Sequence, residues 1–279
     1  MKPLTRGLMK QRLIDAARAD ERIVGLVDYG SSSYERDDEW SDIDVAFFIR
    51  DDDFEAFYHA WKSWAAQFGD LLLAYISWVE HPWTVYTAQP IPLRVDFNFY
   101  RESEIAHILT WPNSPHSVET MVWYDESQRG RLTQCVQQIV GQSLHPADLP
   151  ATFEQACGDF WYYVLFTLSK WKRDQGWLAR QTFHNLVMQN LFALLRIEAN
   201  ALDEWMGSSL AWAGVEHTLS PERLSQLESC IPAPGLASLK QSLIAAARLG
   251  YSVCEQIAQR YGWAWPQALA DQTLQVISE

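Results

Sequence analysis

Long apolar runs are missing from this 279-residue chain. No stretch approaches the roughly 18 consecutive apolar residues that a bilayer-spanning helix needs, so no membrane partner is expected. Met1 to Lys10 carries charges but no apolar segment, which leaves no sign of a signal peptide. Cysteine is scarce. Cys135, Cys157, Cys230 and Cys254 form no C-x-x-C pair, so they read as reduced, mostly buried thiols in a cytoplasmic protein. The seven histidines show no H-x-x-x-H spacing, which gives a zinc site little support. Positive charge is short as well: 22 Lys and Arg stand against 35 Asp and Glu, a formal net charge of −13. A broad nucleic-acid face needs clustered Lys and Arg, so nucleic acid is not an expected partner. An acidic field favours the approach of a cationic small molecule, although solubility alone explains the charge equally well.

Apolar residues are plentiful at 48%, enough for a substantial core. Met9, Leu13, Ala16 and Ala17 predict an amphipathic helix over 6–19. Strands are expected at 23–29, 43–49, 71–80, 83–88, 92–100 and 119–125. A helix over 54–68 is marked by Phe57, Trp61, Trp64 and Phe68, with Asp52 and Glu55 spaced as in a capping box. Leu132 to Val140 reads as a further helix. Gly141, Pro146 and Pro150 mark a boundary, and beyond it the pattern is wholly helical. The fold expected is α+β: a mixed sheet with flanking helices over 1–145, then an all-α bundle over 146–279. The first bundle helix, with Trp161, Tyr162, Tyr163 and Phe166, is apolar almost all round and should run through the middle.

One stretch organises the rest: Val27 to Ile49, V-D-Y-G-S-S-S-Y-E-R-D-D-E-W-S-D-I-D-V-A-F-F-I. An apolar run breaks at Gly30 and three serines. A polar segment follows, whose acids Glu35, Asp37, Asp38 and Glu39 suit a solvated loop. The second apolar run opens with Asp42 and Asp44. Residues two apart on a strand share a face, roughly 6.6 Å apart, so the two carboxylates stand together. Holding them at the start of a buried strand is costly without a cation. Mg²⁺ prefers carboxylate oxygens and keeps positions free for water and phosphate. Gly30 and Ser31 offer backbone N–H groups and a hydroxyl to a phosphate. Together these features make a nucleotide site. A hydrolase serine elbow would need a second glycine that is absent, and a phosphate-binding P-loop would need G-K-[S/T]. Further along, Leu93, Val95, Phe97 and Phe99 alternate with Arg94, Asp96, Asn98 and Tyr100, which sets Asp96 at the centre of a polar face.

Gly30-Ser31, ten residues, then Asp42-x-Asp44 resembles the signature of the polymerase-β-like nucleotidyltransferases. The likeness is strongest to their antibiotic-modifying branch, the lincosamide and aminoglycoside nucleotidyltransferases. Asp20-Glu21-Arg22-Ile23, Tyr29-Gly30-Ser31, Ser41-Asp42-Ile43, Arg94 to Phe99 and Tyr124-Asp125-Glu126 look like family positions in family order. The resemblance implies a catalytic domain over 1–145 and a helical acceptor-binding domain over 146–279. It implies two Mg²⁺ ions on Asp42, Asp44 and Asp96, with ATP or another nucleoside triphosphate as co-substrate. Asp96 would serve as second-metal ligand or as base toward the attacking hydroxyl, and the resemblance favours the base. Gly30, Ser31 and Ser41 would hold the nucleotide.

A cation for the outer phosphates is expected from S-K-W-K-R-D, where the likeness favours Lys172 and Arg173. Basic residues also complement a helix C-terminus. Trp161, Tyr162 or Tyr163 would stack on the acceptor, or simply pack in the core. Arg94 would bind phosphate or pair with Asp96. The expected reaction transfers a nucleoside monophosphate, AMP first among them, to a hydroxyl of a small cationic acceptor and releases pyrophosphate. The alternative is a degenerate or antitoxin-like regulatory member that binds nucleotide without transfer. A homodimer is left open.

Overall fold

The computed structural model describes residues 3–112, 114–142, 148–201 and 212–278. The chain divides into two compact units, Met1–Ser143 and Leu144–Glu279.

The first unit is built on a six-stranded mixed sheet in the order β3-β4-β5-β2-β1-β6. The strands are β1 (Ile23–Asp28), β2 (Ile43–Ile49), β3 (Leu71–Ile76), β4 (Pro82–Tyr86), β5 (Leu93–Arg101) and β6 (Val122–Asp125). β2 and β5 run parallel, and every other neighbouring pair is antiparallel. Alternation along β2 and β5 decides what each face meets. Ile43, Val45, Phe47, Val95, Phe97 and Phe99 turn toward α1 (Arg6–Ala19) and α2 (Phe54–Ala65), where they bury against Met9, Leu13, Ala17, Phe57 and Trp61. Ala46 and Phe48 turn to the other face, against Ile105, Ile108, Leu132, Val136 and Ile139, the last three from α4 (Arg131–Ile139). A sheet covered on both sides makes the interior dry at its strand ends, and burial there changes carboxylate chemistry.

Two local expectations fail for identifiable reasons. Asp51 to Asp53 form one 3₁₀ turn ahead of α2, and Asp53 caps no backbone N–H. The Asp52–Glu55 capping box is absent because Glu55 pairs with Arg101. Asp51 accepts from the Ser103 hydroxyl at 2.9 Å. The predicted strand 119–125 is half helix: α3 (Val118–Met121) is capped by Ser117, whose hydroxyl accepts the Thr120 N–H at 3.3 Å, and β6 starts only at Val122. The Thr120 hydroxyl then donates to the Ser33 carbonyl at 3.1 Å, tying this turn to the serine run.

In the second unit all described elements are helical. They include α5 (Leu149–Lys172), α6 (Gly176–Thr182), a π-turn at Phe183–Val187, α7 (Met188–Glu198) and the long helix Leu236–Tyr261. Phe153, Phe160, Val164, Leu194, Leu243, Val253 and Ile257 are among its core. α5 is not buried all round as expected: Tyr162 is 62% exposed, so one side of the helix faces outward. All four cysteines are free and buried. No described helix is long and apolar enough to cross a membrane.

Gly250 lies within the long helix where a side chain has no room. A Cβ there would stand 2.3 Å from Phe160 Cε1 and 2.4 Å from its Cζ. Gly-to-Ala inside a helix ordinarily gains about 1 kcal/mol. Here overpacking dominates, so Gly250→Ala is expected to lose about 1–3 kcal/mol in urea denaturation. Adding Phe160→Leu should recover part of the loss. A neutral or stabilising Gly250→Ala would show that the helix spacing is looser than described.

Candidate active site

β2 and β5 begin at the same edge of the sheet, and their parallel register places Asp44 directly beside Asp96. Both lie on the face shared with Ala46 and Phe48. Just ahead of β2, the Arg94 guanidinium pairs with the Asp42 carboxylate at 2.7 Å. Arg94 therefore does not pair with Asp96, which was one of its two expected roles. Among the described residues no three His, Cys, Asp or Glu side chains are already gathered tightly enough to hold a metal ion.

Gly30 closes the site from β1. The Tyr29 N–H donates to the Asp44 carbonyl at 3.0 Å, which brings the β1–turn junction onto β2. A Cβ on Gly30 would lie 2.2 Å from Asp44 Oδ2 and 2.9 Å from its Cβ. Only glycine allows this approach. Ser31 to Tyr34 then form a 3₁₀ turn. The Ser33 hydroxyl donates to the Gly30 carbonyl at 2.7 Å, and the His116 N–H donates to the Ser33 carbonyl at 3.1 Å. The Ser31 hydroxyl is buried without a hydrogen-bond partner.

Burial and mutual repulsion dominate the electrostatics. Burial, then the charges of Asp42 and Asp96, push the Asp44 carboxyl up to about 7. Burial and Asp42 push Asp96 up to about 6, with Arg94 opposing. These oxygens are hard donors in want of a cation, and the unpartnered Ser31 hydroxyl sits on the adjoining turn. Both features fit a divalent cation carrying a phosphate ligand.

Several neighbours escaped the sequence reading. Asp28, the last residue of β1, is wholly buried on the opposite face, toward α1. It accepts the Gly30 N–H at 2.9 Å, and burial pushes its carboxyl up to about 6. Within an apolar run it gave no separate signal. Asn98 is buried two residues after Asp96 and donates to the Tyr29 hydroxyl at 2.6 Å. The alternation along β5 did mark its face. Arg6 had no sequence signal and lies beneath the serine turn.

The remaining candidates are scattered. The Ser41 hydroxyl donates to Asp38 at 2.9 Å within the exposed loop that precedes β2. Asp125, one of the family-like positions, caps α4 by accepting the Thr133 N–H at 2.9 Å, a structural task. Lys172 and Arg173 end α5 in the second unit, both exposed. Trp161 corrects the stacking expectation. It is 0% exposed, packed edge-on against Phe160 at 5.1 Å, and a ring with no free face stacks on no acceptor. Tyr162 is exposed beside it on the helix.

Residues 5–279 match the model of a family described as streptomycin adenylyltransferase. An aminoglycoside 6-adenyltransferase from Bacillus subtilis is similar in structure, with a TM-score of 0.47 and 14% identity, over 97% of this chain and 96% of that one. A nucleotidyltransferase-like protein from Exiguobacterium sibiricum 255-15 is similar over 90% of this chain and 76% of that one, with a TM-score of 0.36 and 13% identity. No curated protein matches. The family match spans nearly the whole chain, which belongs to the streptomycin adenylyltransferase family and is a nucleotidyltransferase.

The carboxylate cluster has a stability signature. Asp44 has a folded-state pKa of about 7 against an ordinary 3.8, so folding favours its neutral form. That contribution is complete below the ordinary value and is lost as pH rises through the folded one. Asp28 and Asp96 act in the same direction, with folded values of about 6. In the absence of divalent cations, Asp44→Asn should therefore melt a few degrees above the parent near pH 8, and the gap should shrink as pH falls toward the ordinary value of 3.8. An Asn variant that melts below the parent near pH 8 would contradict the repulsion.

Proposed function

We propose, from this family membership and the register that sets Asp44 beside Asp96, that the protein transfers AMP from ATP to a hydroxyl of an aminoglycoside antibiotic. The family favours an aminoglycoside of the streptomycin kind over a lincosamide. The observation that carries the site is the half-buried carboxylate pair on β2 and β5, with Asp42 two residues upstream and Gly30 packed against Asp44.

Each residue has a task in this reading. Asp42 and Asp44 would hold Mg²⁺, and Asp96 would complete the set for a second ion. Bound there, the ions would neutralise the triphosphate and stabilise the attacking and leaving oxygens. Gly30 brings its backbone onto the site, and Ser31 offers its unpartnered hydroxyl to a phosphate oxygen. Asp96 accepts the proton of the acceptor hydroxyl as it attacks the α-phosphorus. Pyrophosphate leaves as the new phosphodiester bond forms. Arg94 pairs with Asp42 at 2.7 Å and would turn to a phosphate once a cation takes its place. Lys172 and Arg173 are assigned to the outer phosphates, and Ser41 to the nucleotide, on the family likeness alone. Tyr162 remains the aromatic candidate for acceptor contact. The −13 charge would draw in a cationic aminoglycoside.

The test is pyrophosphate release from Mg²⁺ and each nucleoside triphosphate with streptomycin, spectinomycin, kanamycin and lincomycin. ATP with one aminoglycoside should turn over. Asp42→Asn and Asp44→Asn should abolish turnover with the fold retained. Asp96→Asn should lower kcat by about 10²–10⁴-fold, the usual worth of a general base. Wild-type turnover in either Asp42→Asn or Asp44→Asn would overturn the metal assignment. Magnesium-dependent nucleotide binding without pyrophosphate release from any acceptor would favour the regulatory reading.

A further inference from the structure

We infer that Arg6 is a positioning residue, whose guanidinium fixes the backbone of Asp42 and the serine turn in the geometry that receives the divalent cation. The inference rests on the nucleotidyl-transfer reading of the same site.

Arg6 is the first residue of α1, and two features fix its origin. The Thr5 hydroxyl caps the helix by accepting the Leu8 N–H at 3.3 Å. Met9, Leu13 and Ala17 are wholly buried against the sheet. The helix start is therefore not free to drift, and the side chain runs from it beneath the serine turn, only 9% exposed.

Its donors then diverge onto four segments. Nε donates to the Asp42 carbonyl at 3.1 Å. Nη2 donates to the Ser32 hydroxyl at 2.7 Å and stands 3.8 Å from Asp28 Oδ2. Nη1 pairs with the Asp37 carboxylate. One planar group thus joins the end of β1, the Gly30–Ser33 turn, the acidic loop and the residue just ahead of β2. A guanidinium spans these directions with rigid, divergent N–H bonds. A lysine ammonium has the charge but not the fork.

The segments it joins are those the metal site needs in register. Asp42 lies outside β2, whose first residue is Ile43, so the sheet ladder alone does not fix it. Its backbone carbonyl is held by Arg6 and its carboxylate by Arg94. The exposed stretch 35–40 separates Asp42 from the serine turn, and Arg6 grips both ends of it. Neutralising Asp28 is a simpler task, but it accounts for one of the four contacts and requires neither Ser32 nor Asp42. Residues that orient metal ligands from behind typically change metal affinity 10–100-fold when altered.

The experiment uses Mn²⁺ as the probe, its binding followed by water-proton relaxation, with circular dichroism and pyrophosphate release alongside. Arg6→Lys retains the charge. It should keep the fold, bind Mn²⁺ about 10–100-fold more weakly, and lower kcat with little change in acceptor KM. Guanidinium ion added to Arg6→Ala should restore Mn²⁺ affinity where an equal concentration of ammonium does not. Asp37→Asn, which cuts one exposed arm, should weaken Mn²⁺ binding less than Arg6→Lys does, and it tests the same lattice should Arg6→Ala fail to fold. Folded Arg6→Lys with wild-type Mn²⁺ affinity would overturn the inference and leave Arg6 as a counter-ion to Asp28. Wild-type protein that binds no Mn²⁺ would overturn the metal reading of the site, and this role with it. Wild-type protein that binds Mn²⁺ but releases no pyrophosphate would overturn the transferase reading alone.

Discussion

The parallel pairing of β2 with β5 is the constraint on which the site depends. Its register decides that Asp44 faces Asp96 and that Ile43, Val45, Phe47, Val95, Phe97 and Phe99 point to the α1–α2 side. Slipping β5 by one residue would turn Asp96 toward α1 and α2 and turn Phe97 and Phe99 away from them. The hydrophobic pattern on the far face thus enforces the geometry of the acidic face. Packing that looks like bulk stabilisation, such as Phe47 against Phe97 and Phe99, also holds the chemistry in alignment.

Repulsion within the cluster is the second constraint. Asp44 and Asp96 sit where burial and neighbouring charge disfavour ionisation. A cation relieves that cost, so the site trades folding stability for affinity toward one kind of ligand. The arrangement around it is built to tolerate the strain. Gly30 yields space that a side chain would take from Asp44, and Arg6 and Arg94 place positive charge on the side of Asp42. Sites of this kind are where local sequence rules are expected to give way to function.

Much of this was legible before any fold was known, and the reasons are local. Period-two alternation along Leu93 to Tyr100 named both faces of β5. The spacing of Asp42 and Asp44 put two carboxylates on one side of one strand. The pairing partner of that strand came from the family resemblance and not from the residue pattern, because it lies some 50 residues away and is chosen by tertiary packing. Arg6 was illegible for a related reason. A basic residue at a helix start reads as solvated, and only the fold lays it under a turn far along the chain. The failures at Glu55 and at Glu119 differ in cause: Glu55 takes Arg101 at the end of β5 as its partner, whereas Ser117 caps a local helical turn at Thr120. Trp161 and Tyr162 are adjacent aromatics that composition cannot separate, yet helix rotation buries one and exposes the other.

The measurement that bears most directly on the central claim is the melting temperature of the wild-type protein with ATP, taken with and without Mg²⁺, beside that of Asp44→Asn. A ligand that binds only the folded state raises the melting temperature by mass action. The account predicts an ATP-induced rise that needs Mg²⁺ in the wild-type protein and is lost in the variant. An equal rise without Mg²⁺, or one retained in Asp44→Asn, would show that the nucleotide is held by something other than the carboxylates of β2 and β5.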